Sequence, residues 1–256
     1  MLIGSILLLF AQTHAQVQPA TVLLRVQPKV GTTCVYDQTM TMNMVVPGAP
    51  ANKTTNQTVM TLKVIKSNAK EVVEEIRTKS DSNKIMNGVV TTLTLSPSAE
   101  ILNFKTDSKD PMIVQLYDAL KSSMKLNPAY PTHPVKVGDS WKVTLDLAEM
   151  FEAMGKGQIT VTQGGKVSMN IKLTGFGTVK SRRVAELKFT SKANLKFKGP
   201  GGSGSASMDI SGLQSVDTLT GLLLRAKTTA KMIMAIPGSG QLNMSTGTTQ
   251  LIRSFR

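Results

Sequence analysis

Apolar and polar residues alternate with a period of two along most of this chain. Met40, Met42 and Met44 alternate with Thr39, Thr41 and Asn43, and Val167, Met169, Ile171 and Leu173 with Ser168, Asn170 and Lys172. The same spacing recurs at Met60, Leu62 and Val64, at Ala185, Leu187 and Phe189, at Ala193, Leu195 and Phe197, and at Leu222, Leu224 and Ala226. Successive side chains of an extended backbone point to opposite faces, so each run predicts a strand with one buried face and one wet face. Because the second faces are polar, the sheet is open to water on one side, which predicts antiparallel meanders rather than a covered parallel sheet.

Two segments break the alternation and predict short helices. In the first, Asp110 caps, Pro111 takes the first helical position, and Met112, Ile113, Leu116, Leu120 and Met124 repeat at helical spacing. In the second, Asp146 caps with Glu149 three residues on, Leu147, Met150, Phe151 and Met154 share one side, and Gly155 stops it. The expected fold class is mainly antiparallel β with two short helices, α+β. Its strands form two similar meanders in an open, half-barrel-like sheet, with the first helix as a lid. The two meanders rest on a faint internal repeat. Pro28-Lys29-Val30-Gly31 precedes Cys34 and Tyr36, and Pro134-Val135-Lys136-Val137-Gly138 precedes Trp141 and Val143, while Glu75-Ile76 matches Glu186-Leu187. The repeats span about 22–126 and 134–252, and Pro128, Pro131 and Pro134 mark the join. Gly199 to Ser205 reads as a hairpin tip and Gly48 to Thr58 as an exposed loop carrying two of three Asn-x-Ser/Thr matches, at Asn52 and Asn56, with the third at Asn243.

The first fifteen residues change the picture. Leu2 to Ala11 is an apolar run, and Gln12 to Ala15 forms a polar, small-residue exit, which together predict a signal peptide cleaved after Ala15. The run is too short for the ~20 residues of a bilayer span, so the mature product, residues 16–256, is expected to be one β-rich domain without a transmembrane segment, periplasmic or secreted. Aromatic residues make up only 4% of the chain while methionine occurs 15 times, so the core is filled by aliphatic and thioether side chains. Cys34 is the only cysteine. It forms no internal disulfide, and its strand-like setting reads as a small buried apolar residue.

Candidate chemistry narrows by exclusion. Once His14 leaves with the signal, His133 is the single imidazole, set between Pro131 and Pro134, with no nucleophile elbow or H-E-x-x-H beside it. No catalytic residue, metal site or cofactor is expected, and the protein reads as a non-enzyme.

Tyr36-Asp37, Leu95-Ser96-Pro97 with Glu100, Val137-Gly138-Asp139-Ser140-Trp141 and Ala185-Glu186-Leu187 resemble an uncharacterised family of bacterial exported proteins, and the resemblance covers most of the mature chain. The layout of meander plus lid is also similar in architecture to the half-barrel lipoprotein and lipid carriers of the bacterial envelope. What these resemblances imply is a place in the envelope and a ligand that is a lipid or lipoprotein.

Charge is divided unevenly. Gln16 to Gly155 holds 15 basic and 13 acidic residues, whereas Lys156 to Arg256 holds 15 basic and 3 acidic. Lys188, Lys196, Lys198, Arg225 and Lys227 occupy the polar phase of their strands and form a candidate anion-binding face. Two binding roles follow. The first is an apolar or amphiphilic ligand between the sheets, lined by Met40, Met42, Met44, Met60, Met169, Leu116 and Leu120, which calls for a cavity of roughly 300 Å³ or more. The second is docking of the basic half on anionic membranes or envelope polymers. An enzyme ranks third, and nucleic acid is not an expected partner because stacking aromatics are few.

Overall fold

Long alternating runs become long strands. The computed structural model describes residues 21–80, 87–110, 114, 130–146, 148, 152, 158–199, 201–236 and 240–256. Its strands are β1 (Thr33–Val45), β2 (Asn52–Ser67), β3 (Val72–Lys79), β4 (Val90–Leu95), β5 (Ile101–Thr106), β6 (Ser140–Asp146), β7 (Thr160–Gln163), β8 (Lys166–Val179), β9 (Arg182–Gly199), β10 (Gly202–Asp217), β11 (Leu223–Ile236) and β12 (Gly240–Phe255). They form one antiparallel sheet in the order β5-β4-β3-β2-β1-β12-β11-β10-β9-β8-β6, with β7 pairing β9. The path does not close, so the sheet is open, with β5 and β6 at its ends. Its middle is the pairing of β1 with β12, twelve register pairs from Cys34 opposite Phe255 to Val45 opposite Asn243. On the wet side of that seam Arg253 makes a two-pronged ion pair with Asp37, 216 positions away.

The expected pair of helices is not found among the described residues. Among the described residues there is no helix, and the fold class is all-β rather than α+β; only Val114, Ala148 and Glu152 are single positions of helical conformation. Most of both expected helical segments, including Leu116 and Leu120, lies outside the described residues, so the lid is not an element of the structure described. Asp146, the expected cap of the second helix, is the last residue of β6, opposite Lys166 of β8, where the ladder continues the alternation of Trp141 and Val143. A long strand neighbour satisfies the backbone groups that a helix would otherwise satisfy internally, and helical spacing is a weak prior against it. Similarly, β2 begins at Asn52, so the exposed loop expected up to Thr58 is a turn followed by strand.

The two Lys-Val-Gly segments build the same corner. Gly31 and Gly138 sit at φ of +88° and +98°, in the left-handed region that glycine enters without steric cost. Gly31 N–H donates to Val64 O at 2.8 Å while Val64 N–H donates to Thr32 O at 2.9 Å. Gly138 N–H donates to Leu173 O at 2.8 Å while Leu173 N–H donates to Asp139 O at 3.0 Å. In each case the partner strand bulges directly afterwards, at Val64/Lys66 and at Leu173/Gly175.

Two core clusters gather at one end of the sheet's inner face, and a third, of Val167, Ala193, Leu195, Phe197 and Ala206, lies further along β8 to β10. One cluster joins Cys34, Tyr36, Val64, Val72, Leu224 and Ile252, so strands from both sides of the seam meet there. A second joins Leu24, Val135, Ile171, Leu173, Leu187 and Phe189. The segment before β1 crosses this end as an irregular strap, burying Leu24 and Val26. Its backbone is tied down by Val22 and Val135 bonding each other, by Val26 N–H to Pro97 O at 2.8 Å and by Gln27 N–H to Thr220 O at 2.9 Å. Gly221 lets the strap approach. Its φ is +69°, and a Cβ there would lie 1.9 Å from Arg25 O.

Candidate functional site

Away from the strap the inner face is buried along β9 around Leu195 and Phe197 but only half-buried across β11, β12 and the end of β1, and register fixes what lines it. Met208 of β10 stands opposite Met232 of β11, Met232 opposite Met244 of β12, and Met244 opposite Met44 of β1. Four methionines thus form one row across four neighbouring strands, each half-buried. Toward the core the next rows run Ile210, Ala230, Thr246, Met42 and then Gly212, Thr228, Thr248, Met40, so small residues make a trough beside the thioethers. The Phe189 ring lies over Gly212 and the Phe197 ring over Gly204, where a Cβ would come within 2.3 Å and 2.5 Å of the ring edge. Methionine side chains are flexible and polarisable, and a surface rich in them adapts to apolar partners of varied shape.

Below the trough is a cavity of about 190 Å³. Tyr36, Leu62, Glu74, Leu93, Tyr130 and Leu222 are among its walls, and Gln214 of β10 and Gln250 of β12 carry its lining onto the open inner face. Glu74 is 3% exposed. It shares the inward phase of β3 with Val72 and Ile76, and its cross-strand neighbours are Val64 and Leu93. Its Oε1 is buried without a hydrogen-bond partner. Burial disfavours the charged form, and it pushes the Glu74 carboxyl up to about 7. Tyr130 donates its hydroxyl to Gly221 O at 3.1 Å, and burial raises both Tyr130 and Tyr36 above the ordinary tyrosine value. Among the described residues that line it none is Lys, Arg or His. Arg182, whose charge reaches neighbouring Cys34, is held by Asp217 at 2.5 Å. Burial pushes the Cys34 thiol up to about 11.

The residues expected to line an apolar site divide three ways. Met40, Met42 and Met44 face the trough, Met60 packs beside the first core cluster and Met169 is buried inside the second. Leu116 and Leu120 lie outside the described residues. Sequence reading missed Met208, Met232 and Met244, although Met232 alternates around Ile233 in the pattern used elsewhere, and it missed Glu74. The signal for Glu74 is a carboxylate standing in phase with Val72 and Ile76.

The basic candidates all lie on the opposite, outer face and are exposed. Lys188 and Lys227 belong to one row, Lys172-Lys188-Leu213-Lys227, in which Lys172 and Lys188 stand directly opposite each other. Lys196 and Lys198 sit eight and ten positions along β9, at the end of the β9–β10 hairpin, roughly 27 Å from that row at ~3.4 Å per residue. Arg225 is tied to Glu186 at 3.1 Å and to the Ser215 hydroxyl. His133 is exposed. Among the described residues no cluster of His, Cys, Asp and Glu is arranged to hold a metal ion, and no helix is long and apolar enough to cross a membrane.

No protein-family model and no curated protein sequence matches this chain. Among solved structures it is similar to an exported protein with a YmcC-like fold from Bacteroides fragilis, at 9% identity over 91% of this chain and 99% of that one, with a TM-score of 0.35. It is similar as well to a DUF1329 family protein from Desulfovibrio piger, at 10% identity over 89% and 86%, with a TM-score of 0.27. A LolA superfamily protein from Nitrosomonas europaea matches at 7% identity over 90% and 89%, with a TM-score of 0.20. Likenesses this loose assign neither ligand nor activity.

Proposed function

We propose that this protein works outside the cytoplasm as a non-catalytic binder of an amphiphile whose apolar chain lies along the inner face of the sheet. The observation that carries this reading is the row Met208-Met232-Met244-Met44, half-buried beside a trough of small residues, in which Met208 and Met232 rest against the cluster of Leu195, Phe197 and Ala206 while Met244 and Met44 lie outside the core clusters of the described residues. A cavity of about 190 Å³ is below the ~300 Å³ at which ligand pockets begin, so the ligand is not swallowed whole. It extends instead from the cavity mouth at Gln250 to Met244, six residues or on the order of 20 Å along β12. The test uses a neutral apolar fluorophore, N-phenyl-1-naphthylamine. Wild type is expected to bind it saturably, and Met232→Glu with Met244→Glu to lose that binding at nearly unchanged melting temperature. Absence of saturable binding by wild type overturns the reading. Export is tested separately by the intact mass of the secreted protein, with Gln16 as the expected first residue.

A second reading is favoured by one feature of the outer face. Like charges placed directly opposite in a sheet are unfavourable, yet Lys172 and Lys188 are so placed, with Lys227 in the same row. An anionic membrane or polymer would relieve that repulsion.

A further inference from the structure

A buried carboxylate is costly unless hydrogen-bonded, and a buried polar atom left without a partner calls for an explanation. Glu74 is such a group. It is set on a strand between Val64 and Leu93, nine-tenths or more buried, with Oε1 unpartnered, and the residue is part of a cavity's wall. The chain has 30 lysines and arginines against 16 acidic residues, and among the described residues none of these bases lines this cavity. Arg182, the cation whose charge acts on the adjoining Cys34, is already held by Asp217 and Thr220 completes that carboxylate's shell. The cavity therefore offers one acidic acceptor, two tyrosines, two glutamines toward its mouth and an apolar wall, in a volume that fits a head group and not a whole lipid.

We propose that this cavity recognises the aliphatic ammonium group of the amphiphile, with Glu74 as its counter-ion. The inference rests on the reading of the inner face as the amphiphile's site and adds the chemical class of its polar end. An anionic head group would meet the carboxylate, and a head group without donors would leave Oε1 as it is. A primary ammonium brings three N–H donors and the opposite charge, and the rings of Tyr36 and Tyr130 suit a cation. Its alkyl chain then leaves past Gln214 and Gln250 into the methionine trough.

Titration calorimetry with dodecylamine, dodecanol and dodecanoate, each below its micelle concentration at one pH, separates the two ideas. Wild type is expected to bind dodecylamine at least tenfold more tightly than the other two. Glu74→Gln is expected to lose that preference by weakening the amine tenfold or more while leaving dodecanol unchanged. If wild type binds all three alike, or if Glu74→Gln keeps the amine preference, the ammonium assignment is overturned and the inner-face reading stands on the dodecanol result. If none of the three binds wild type, both fall.

Discussion

Replacing Glu74 by Gln removes an ionisable group that the fold holds in its less soluble form. The carboxyl is raised from 4.5 to about 7 by burial, a difference of about 2.5 units, and each unit is worth ~1.36 kcal/mol. Below pH 4.5 the group is protonated in both states and has no differential effect. Between there and pH 7 the unfolded chain loses the proton and the folded chain keeps it, so folding takes up a proton and stability falls as pH rises. Above pH 7 the full cost, about 3 kcal/mol, is present. Glu74→Gln keeps the shape without the charge, so it is expected to match wild type at pH 4 and to exceed it by about 3 kcal/mol at pH 8. In a domain of this size that corresponds to roughly 9 °C in melting temperature. The strong positive charge of the chain affects both proteins alike and cancels in the difference. Urea unfolding of the pair at pH 4, 6 and 8 measures it. A variant that is less stable than wild type at pH 8, or a gap that does not change with pH, would refute the argument and show that Glu74 has a partner in solution.

Three further outcomes are expected. Cys34, fully buried with its thiol raised to about 11, should not react with a thiol reagent at pH 8 until denaturant unfolds the sheet; rapid labelling of the native protein would contradict its placement. Gly221→Ala should cost about 3 kcal/mol in urea unfolding, because a Cβ meets Arg25 O and the left-handed backbone adds strain; a loss under 1 kcal/mol would mean that the strap is loosely held. Reversing Lys172, Lys188 and Lys227 to Glu should abolish binding to anionic vesicles at low salt while leaving fluorophore binding on the inner face intact. At about 1 kcal/mol for each base near an anionic surface the loss should exceed tenfold, and equal binding by the variant would make the lysine row a solubility device.

What the sequence made legible was whatever repeats locally. The period-two runs at 167–173, 185–189 and 193–197 are strands with the expected faces buried, because a half-buried strand writes its burial into successive residues. Pairing over long distance leaves no such trace. Nothing around Met44 announces that Met244 stands opposite, so the methionine row was invisible until β1 met β12. Helical spacing after Asp110 and Asp146 predicts two helices from local caps, yet the described residues are strands held by distant partners, and the last residue of β6, Asp146, still pairs with Lys166. Glu74 escaped for a different reason. A charged residue is assigned to the wet face by default, and only its phase with Val72 and Ile76 argues otherwise.

The seam between β1 and β12 also sets an order of events. Each of its partners is roughly two hundred residues from the other, so the closure that makes twelve register pairs is the most distant in the chain and the last that diffusion can reward. Until it forms, β1 and β12 each present a long unpaired edge, the kind of surface that templates aggregation. Hairpins such as β1–β2 and β9–β10 can form as they emerge, but the two halves remain separate ribbons until the final sixteen-residue strand arrives between them. A chain that crosses a membrane with its N-terminus first would therefore stay translocation-competent up to its last residues and lock only on the far side. Kinetically, β12 is the keystone, and deleting it should yield insoluble ribbons rather than a smaller sheet.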